Sequence, residues 1–236
     1  MRVVSLVPSA TETLVAWGAP PVACTRFCEQ PGLPTVGGTK NPDVEAIVAL
    51  APDLVVMCHE ENRRPDADAL AAAGLGVHVC SPATVEEVAP ALSALAGAIG
   101  VVPPPAQRGG PVPTPPPLGV AAFVPIWRRP WMTIAGDTYA SSLLRAIGVT
   151  NLAAGWHDGD GAAGRYPEVD LARVADAGPE VVLAPSEPYA FKPEHLAELA
   201  ALAPVVEVDG QDLFWWGVRT PGAVERLHRA VAAALG

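Results

Sequence analysis

Short apolar runs alternate along this chain with stretches whose apolar residues recur every three or four positions. Residues 2–7, 22–25, 53–57, 77–80, 119–124, 181–184 and 205–208 are the apolar runs. Runs of this length, rich in Val and bounded by turn residues, predict strands buried on both faces of a parallel sheet. Between them lie predicted helices. Ser9 with Glu12 opens one over 9–18, and Asp43 caps another over 43–50. Further helices are predicted over 65–73, 137–147, 170–176, 193–202 and 221–235. Residues 26–41, 155–166 and 209–219 read as loops, the last one aromatic, and 125–134 as a loop or hairpin. Strand and helix taking turns argues for a mostly parallel sheet with helices on both faces.

The segment from Ser81 to Leu118 stands apart. Val85, Val88, Ala91, Leu92, Leu95 and Ile99 give a helix one apolar face, and Thr84 with Glu87 reads as a capping box. Eight prolines then fall between Pro103 and Pro117, which stops the helix and predicts a stiff, extended strap. On either side of this segment the chain repeats. Asp43, Pro52 and Glu60 return as Asp170, Pro179 and Glu187, each 127 residues later, and Leu14 and Gly18 return as Leu144 and Gly148 after 130. A solenoid repeat is far shorter, roughly 20–50 residues. The expected fold class is therefore α/β, with two similar lobes of mostly parallel sheet flanked by helices. Residues 1–82 form an N-terminal lobe, 83–118 a long backbone helix and Pro-rich strap, and 119–236 a C-terminal lobe, with a ligand cleft expected between lobes.

Composition narrows the function classes. A net charge of −10 opposes nonspecific nucleic-acid binding, which wants a basic face. No apolar run approaches the ~18 residues that span a bilayer. The sequence opens directly in a strand, with no secretory signal visible, so it reads as cytoplasmic as written. Four cysteines, Cys24, Cys28, Cys58 and Cys80, do not make a disulfide framework at this size, and reduced, buried thiols are expected.

Ligands of open parallel sheets bind beyond the carboxyl ends of the strands, so the loop leaving each strand contributes to the candidate site. In the first lobe this gives Ser9 and Thr11, then Arg26 and Phe27, Thr39 and Lys40, and His59 and Glu60. In the second it gives Trp127 and Trp131, Tyr166, Glu187, and Trp216 with Arg219. Four of the six tryptophans lie in these loops. Tryptophan offers a broad face to a ring system and one N–H to a polar edge, so the pattern points to a large, partly flat, partly polar ligand.

The run from Arg2 to Glu12, the run from Val36 to Ile47 beginning Val-Gly-Gly-Thr-Lys-Asn-Pro, and Leu50-Ala-Pro-Asp-Leu-Val resemble the class III, helical-backbone substrate-binding proteins, receptors for cobalamin, iron–siderophores and haem. The resemblance covers nearly the whole chain and is strongest to the family's cobalamin-receptor branch. It implies a monomeric, non-catalytic receptor with no covalent cofactor and no resident metal. Its ligand would be a small-molecule metal chelate such as cobalamin or a related corrinoid, delivered to an ABC permease dimer. It also implies a periplasmic or cell-surface location and little motion between lobes. Phe27 falls where the cobalamin receptors have a cleft tyrosine, Tyr166 where they have a tryptophan, and Trp131 on another cleft aromatic. Asp212 and Arg219 match a polar pair. Two tryptophans of that branch are Thr39 and Cys58 here. Of the family's two docking carboxylates, Glu45 matches the first, and Ala172 stands at the second. A cytoplasmic corrinoid carrier or sensor is the reading that accommodates these departures.

Other chemistries leave weaker traces. His59, Glu60 and Glu61 with Cys28 or Cys58 fit no established zinc spacing. Gly37-Gly-Thr-Lys lacks the full P-loop pattern. A hydrolase assembled from Asp137, Ser186 and His195 lacks a nucleophile elbow, and a metalloenzyme or hydrolase using His59, Glu60 and Asp137 is the competing class of reading. His195 is expected on an exposed helix face, His78 in or beside a strand, and Trp17 in the core. Trp215 and Trp216, if extended, point opposite ways. Trp127, Arg128 and Arg129 fit a ligand grip or a surface cation–π cluster equally well.

Overall fold

The computed structural model describes residues 1–107, 112–159 and 164–236. Part of the Pro-rich strap and part of the 155–166 loop lie outside the described residues. Two separate sheets of four parallel strands, each flanked by helices, make the protein α/β. The chain divides into two compact units. The first comprises Met1–Pro82, the described part of Glu86–Gly110, and Trp216–Val218; the second comprises Ala83–Val85, the described chain up to Trp215, and Arg219–Gly236.

In the first unit, β1 (Val3–Ser5), β2 (Ala23–Cys24), β3 (Leu54–Met57) and β4 (Gly76–Val79) pair in the order β2-β1-β3-β4. Val4 lies opposite Ala23 on one side and Val55 on the other, so the β1 residues have a strand on each edge. Helices α1 (Pro8–Ala16), α2 (Val44–Ala49) and α3 (Arg64–Ala72) connect the strands. The core is Val4, Leu6, Ala23, Val36, Ile47, Val55, Met57 and Leu70, all buried. Each such aliphatic side chain contributes about 1.5–3 kcal/mol by leaving water. Helix α1 starts two residues earlier than Ser9 capping predicts. Pro8 occupies its first turn, where the missing N–H costs nothing, Val7 is the N-cap, and Ser9 lies inside the helix. Asp43 does cap α2, accepting from the Ala46 amide at 2.9 Å.

Helix α4 (Val85–Ile99) buries Val85, Val88, Leu92, Leu95 and Ile99 and turns Pro90 outward. Trp17 is in the core, as expected, with its indole N–H on the Gln107 carbonyl at 3.1 Å. The triplet Trp216–Val218 completes this unit: the Val218 amide reaches the Thr13 hydroxyl at 3.4 Å, and a methyl on Gly217 would collide with that same hydroxyl.

The second unit repeats the plan. Its strands β5 (Val120–Phe123), β6 (Val149–Asn151), β7 (Val181–Pro185) and β8 (Val205–Val208) pair in the order β6-β5-β7-β8. Helices α5 (Tyr139–Ala146), α6 (Leu171–Asp176), α7 (Pro193–Leu199), α8 (Gly210–Phe214) and α9 (Thr220–Leu235) surround them. The repeated positions do the same work in both units. Asp170 caps α6 as Asp43 caps α2, accepting from the Ala172 amide at 2.9 Å, and β7 comes after α6 as β3 comes after α2. Phe123, Val174, Val182, Leu199 and Ala203 form its core.

Three expectations are corrected here. Strand β6 was not predicted, because three residues after Gly148 carry too little pattern to register as a strand. Residues 209–219 are not a loop throughout: Asp209 accepts from the Gln211 and Asp212 amides at 2.8 and 3.2 Å and so starts α8. Nor is His195 exposed. It is buried, with its Nδ1 accepting from the Lys192 amide at 3.2 Å, so it caps α7 from within.

Candidate functional site

Both sheets reverse their strand order at the first strand of the unit, between β1 and β3 and between β5 and β7. Ligand sites of open parallel sheets lie beyond the carboxyl ends at such switch points. Each unit is therefore built up from the loops that leave those ends.

In the first unit, Asn62 organises three loops. Its Oδ1 accepts from the Cys58 amide at 2.7 Å, and its Nδ2 donates to the Thr39 carbonyl at 2.9 Å and the Leu6 carbonyl at 3.3 Å. Asn62 is buried, and these bonds join the ends of β1 and β3 to the 37–42 loop. Lys40 adds a second tie, from Nζ to the Glu60 carbonyl at 2.5 Å, and the His59 amide donates to Ser81 Oγ at 2.8 Å. The Thr39 backbone is thus fixed, and the His59 side chain is left exposed.

After β2, Arg26–Cys28 forms a 3₁₀ turn. Its first two side chains point outward together: the Arg26 guanidinium sits 4.7 Å from the centre of the Phe27 ring, and Phe27 is 49% exposed. Gly38 permits this. A Cβ there would come within 3.1 Å of the Phe27 ring and 3.2 Å of the Arg26 guanidinium. Ser9 and Thr11, by contrast, are buried in α1. The Thr11 hydroxyl donates to the Val7 carbonyl at 3.0 Å and lies 3.1 Å from the Cys28 sulfur. These two residues shape the turn after β1 rather than presenting side chains to solvent.

In the second unit, β5 leads into a hairpin closed by bonds between Ile126 and Met132 and between Met132 and Trp127, at 2.9 and 3.2 Å. The loop after β7 brings Tyr189 and Phe191 against it. Trp127, 43% exposed, meets Tyr189 edge-on at 5.1 Å, and Trp131 stacks on Phe191 at 6.0 Å. Arg128 packs 5.5 Å from the Trp131 ring and pairs with Glu198 at 2.8 Å. Arg128 therefore belongs to a cation–π and ion-pair cluster, while Trp127 keeps an open face. Sequence reasoning had no signal for Tyr189, Phe191 and His195 beyond their place after β7.

Glu187 accepts from the Trp215 indole N–H at 2.7 Å, and the Gly210 amide donates to Ser186 Oγ at 2.9 Å, which joins the loop after β7 to α8. Asp212 is buried between two guanidiniums, with Arg219 at 3.1 Å and Arg226 at 2.6 Å. Arg219 also lies 5.1 Å from the Trp215 ring. Beside them the Tyr139 hydroxyl bonds Thr220 Oγ1 at 2.8 Å, and burial pushes its pKa up. Tyr166 is half-buried. Trp216, only 4% exposed, is counted in the first unit, and Trp215 in the second.

The residues of the hydrolase reading are engaged elsewhere. Asp137 holds Arg165 at 2.9 Å and His157 at 3.1 Å, Ser186 accepts from Gly210, and His195 caps α7. Burial pushes the Cys58 thiol up to about 11 and the Cys24 and Cys80 thiols up to about 12, so all three are protonated at neutral pH. Among the described residues no group of three or more His, Cys, Asp or Glu side chains is placed to hold a metal ion. Nor is any helix among them long and apolar enough to cross a membrane.

No family model matches the chain. A stretch of 99 residues is 32% identical to the Vitamin B12-binding protein of Salmonella typhimurium, covering 40% of this chain and 37% of that protein. The match thus spans little more than a third of that relative's length. Over nearly the full chain, the crystal structure of the periplasmic Vitamin B12 binding protein BtuF of Vibrio cholerae superposes with a TM-score of 0.73 at 20% identity, covering 99% of this chain and 97% of that one. The periplasmic heme-binding protein BhuT, solved in complex with two hemes, gives 0.76 at 22% identity, covering 100% and 99%. The chain has the class III substrate-binding fold of these periplasmic vitamin B12- and heme-binding proteins. Within the class III fold, the aromatic and cationic side chains described above leave the carboxyl ends of the strands in each of the two units.

Proposed function

We propose that this chain is a non-catalytic substrate-binding protein for a corrinoid, working in ABC-type uptake. The observation that carries the reading is the chemistry of the strand-end loops. The first unit offers an open Phe27 face backed by Arg26, and the second offers an open Trp127 face backed by Tyr189. Two open flat rings, one of them backed by a cation, suit a large conjugated macrocycle with polar edges. The Salmonella relative carries the name of a vitamin B12-binding protein, which favours a corrinoid. Haem is the second reading, favoured by the similar fold of a heme-binding protein, and a ferric siderophore is the third.

Delivery to a permease would use the exposed Glu45 on α2, with Ala172 at the corresponding position of α6. A periplasmic site of action is the one uptake requires, and a cytoplasmic corrinoid carrier or sensor is the alternative. Titration with cobalamin, cobinamide, haem and a ferric siderophore, read by visible absorbance and tryptophan fluorescence, tests the ligand. Saturable quenching by a corrinoid is expected, weakened roughly tenfold by Phe27→Ala or by Trp127→Ala. Saturation by haem alone would replace the corrinoid reading, and silence from all four would remove the receptor reading. Co-purification with a permease, lost on Glu45→Arg, tests delivery.

A further inference from the structure

Cys58 and Cys80 come directly after two neighbouring strands, at matching positions. Met57 of β3 is the register partner of Val79 of β4, and the Cys80 amide bonds the Met57 carbonyl at 2.8 Å. The two cysteines come one residue later on each strand. Neighbouring strands run about 4.8 Å apart, inside the Cα separation of roughly 4.4–6.8 Å that a disulfide accepts. Both thiols are free and buried, and burial, with a smaller contribution from Cys58, raises the Cys80 pKa.

A route to Cys80 exists. An open pocket of about 170 Å³ between β4 and α4 is lined by His78, Cys80, Ser81, Glu87 and Ala91. His78 and Cys80 share a face of the strand, two residues apart. The His78 Nε2 is buried and has no hydrogen-bond partner, and burial lowers the His78 pKa, so the imidazole is neutral at pH 7. A neutral imidazole can take a thiol proton.

We propose that Cys58 and Cys80 are a latent dithiol that closes to an intramolecular disulfide, entered through the pocket at Cys80. The oxidant is a low-molecular-weight disulfide such as oxidised glutathione. One cysteine thiolate attacks it, forming a mixed disulfide and expelling one glutathione thiolate. The second cysteine thiolate then attacks the mixed disulfide, forming the Cys58–Cys80 bond and expelling the other. Two electrons pass from the protein to glutathione, and the two thiol protons end on the two glutathione thiols. The bond ties the edge strand β4 to β3.

The test uses the full chain, reduced, freed of reductant and incubated with oxidised glutathione, then mapped by peptide mass. A loss of two hydrogens joining the peptides of Cys58 and Cys80 is expected. The rate should rise about tenfold per pH unit between pH 7 and 9, since both thiols titrate well above that range. Closure should raise the thermal midpoint by roughly 10 °C, as the bond joins cysteines 22 positions apart in the chain. Cys58→Ser and Cys80→Ser should each abolish the link. As a guard against misfolding of either variant, Cys24→Ser with Cys28→Ser supplies a chain that keeps the pair and should still form it. A link mapped to Cys24 and Cys28, glutathione adducts without closure, or no oxidation at all would each overturn the proposal.

Discussion

Replacing Asn62 with alanine removes three hydrogen bonds without touching any side chain proposed to meet ligand. The Cys58 amide loses its acceptor in a buried place, which costs about 1–3 kcal/mol. The two donated bonds contribute about 0.5–1.5 kcal/mol each, with the 3.3 Å bond to Leu6 at the low end and the 2.9 Å bond to Thr39 higher. The expected loss is about 3 kcal/mol, read as a shift in urea midpoint at unchanged m-value. Asn62→Asp separates the two halves of this sum. It keeps the acceptor for Cys58 but turns a carboxylate toward two carbonyls, so it should be nearly as harmful at pH 7 and milder near pH 3, where the carboxyl is protonated and can donate. Amide exchange in the 37–42 loop should quicken in both variants. If Asn62→Ala costs less than about 1 kcal/mol, or Asn62→Asp matches the parent at pH 7, the joining role assigned to this residue is wrong.

Single contacts give the other expected outcomes. Asp212→Ala strips the buried carboxylate from Arg219, whose side chain is only 14% exposed, and should cost about 3–5 kcal/mol in urea unfolding. Arg226→Ala removes a half-exposed partner and should cost no more than about 1 kcal/mol. Gly210→Ala would put a methyl 2.6 Å from the Glu187 amide nitrogen and 2.8 Å from its carbonyl oxygen; a loss of about 1–3 kcal/mol and a red-shifted Trp215 emission are expected. His78 has a depressed pKa in the folded chain, so the unfolded chain binds more protons below its ordinary value of 6.5. Stability should therefore fall as pH drops from 6.5 through the folded value, and His78→Gln should flatten that part of the profile.

Much of the fold was legible because it rests on local pattern. The Val-rich runs that become β3 and β7 are continuous, and the Asp that caps α2 recurs 127 residues later to cap α6. What escaped depends on contacts far apart in the chain. Asn62 reads as one more polar residue in a polar loop until the fold brings Leu6, 56 positions away, within its reach. His195 looked like an exposed helix residue because nothing local shows that the rings of Tyr189 and Phe191 close over it, at 5.7 and 6.5 Å. The strand-end rule did pick out Phe27 and Trp127, which stand open, but it picked Ser9 and Thr11 equally, and only packing separates the two kinds. Aspartate at 209 was an available cap signal, outweighed by the run of aromatics behind it.

The three residues that run from Trp216 to Val218 bear on how the molecule is made. The amino-terminal fold is finished by residues 216–218, which come after all four strands of the second unit. A nascent polypeptide emerging from the ribosome therefore holds that unit incomplete until the second unit's sheet has been made. For the same reason a fragment cut in the proline tract, though it contains the whole first sheet, would leave the Thr13 hydroxyl without the Val218 amide that reaches it.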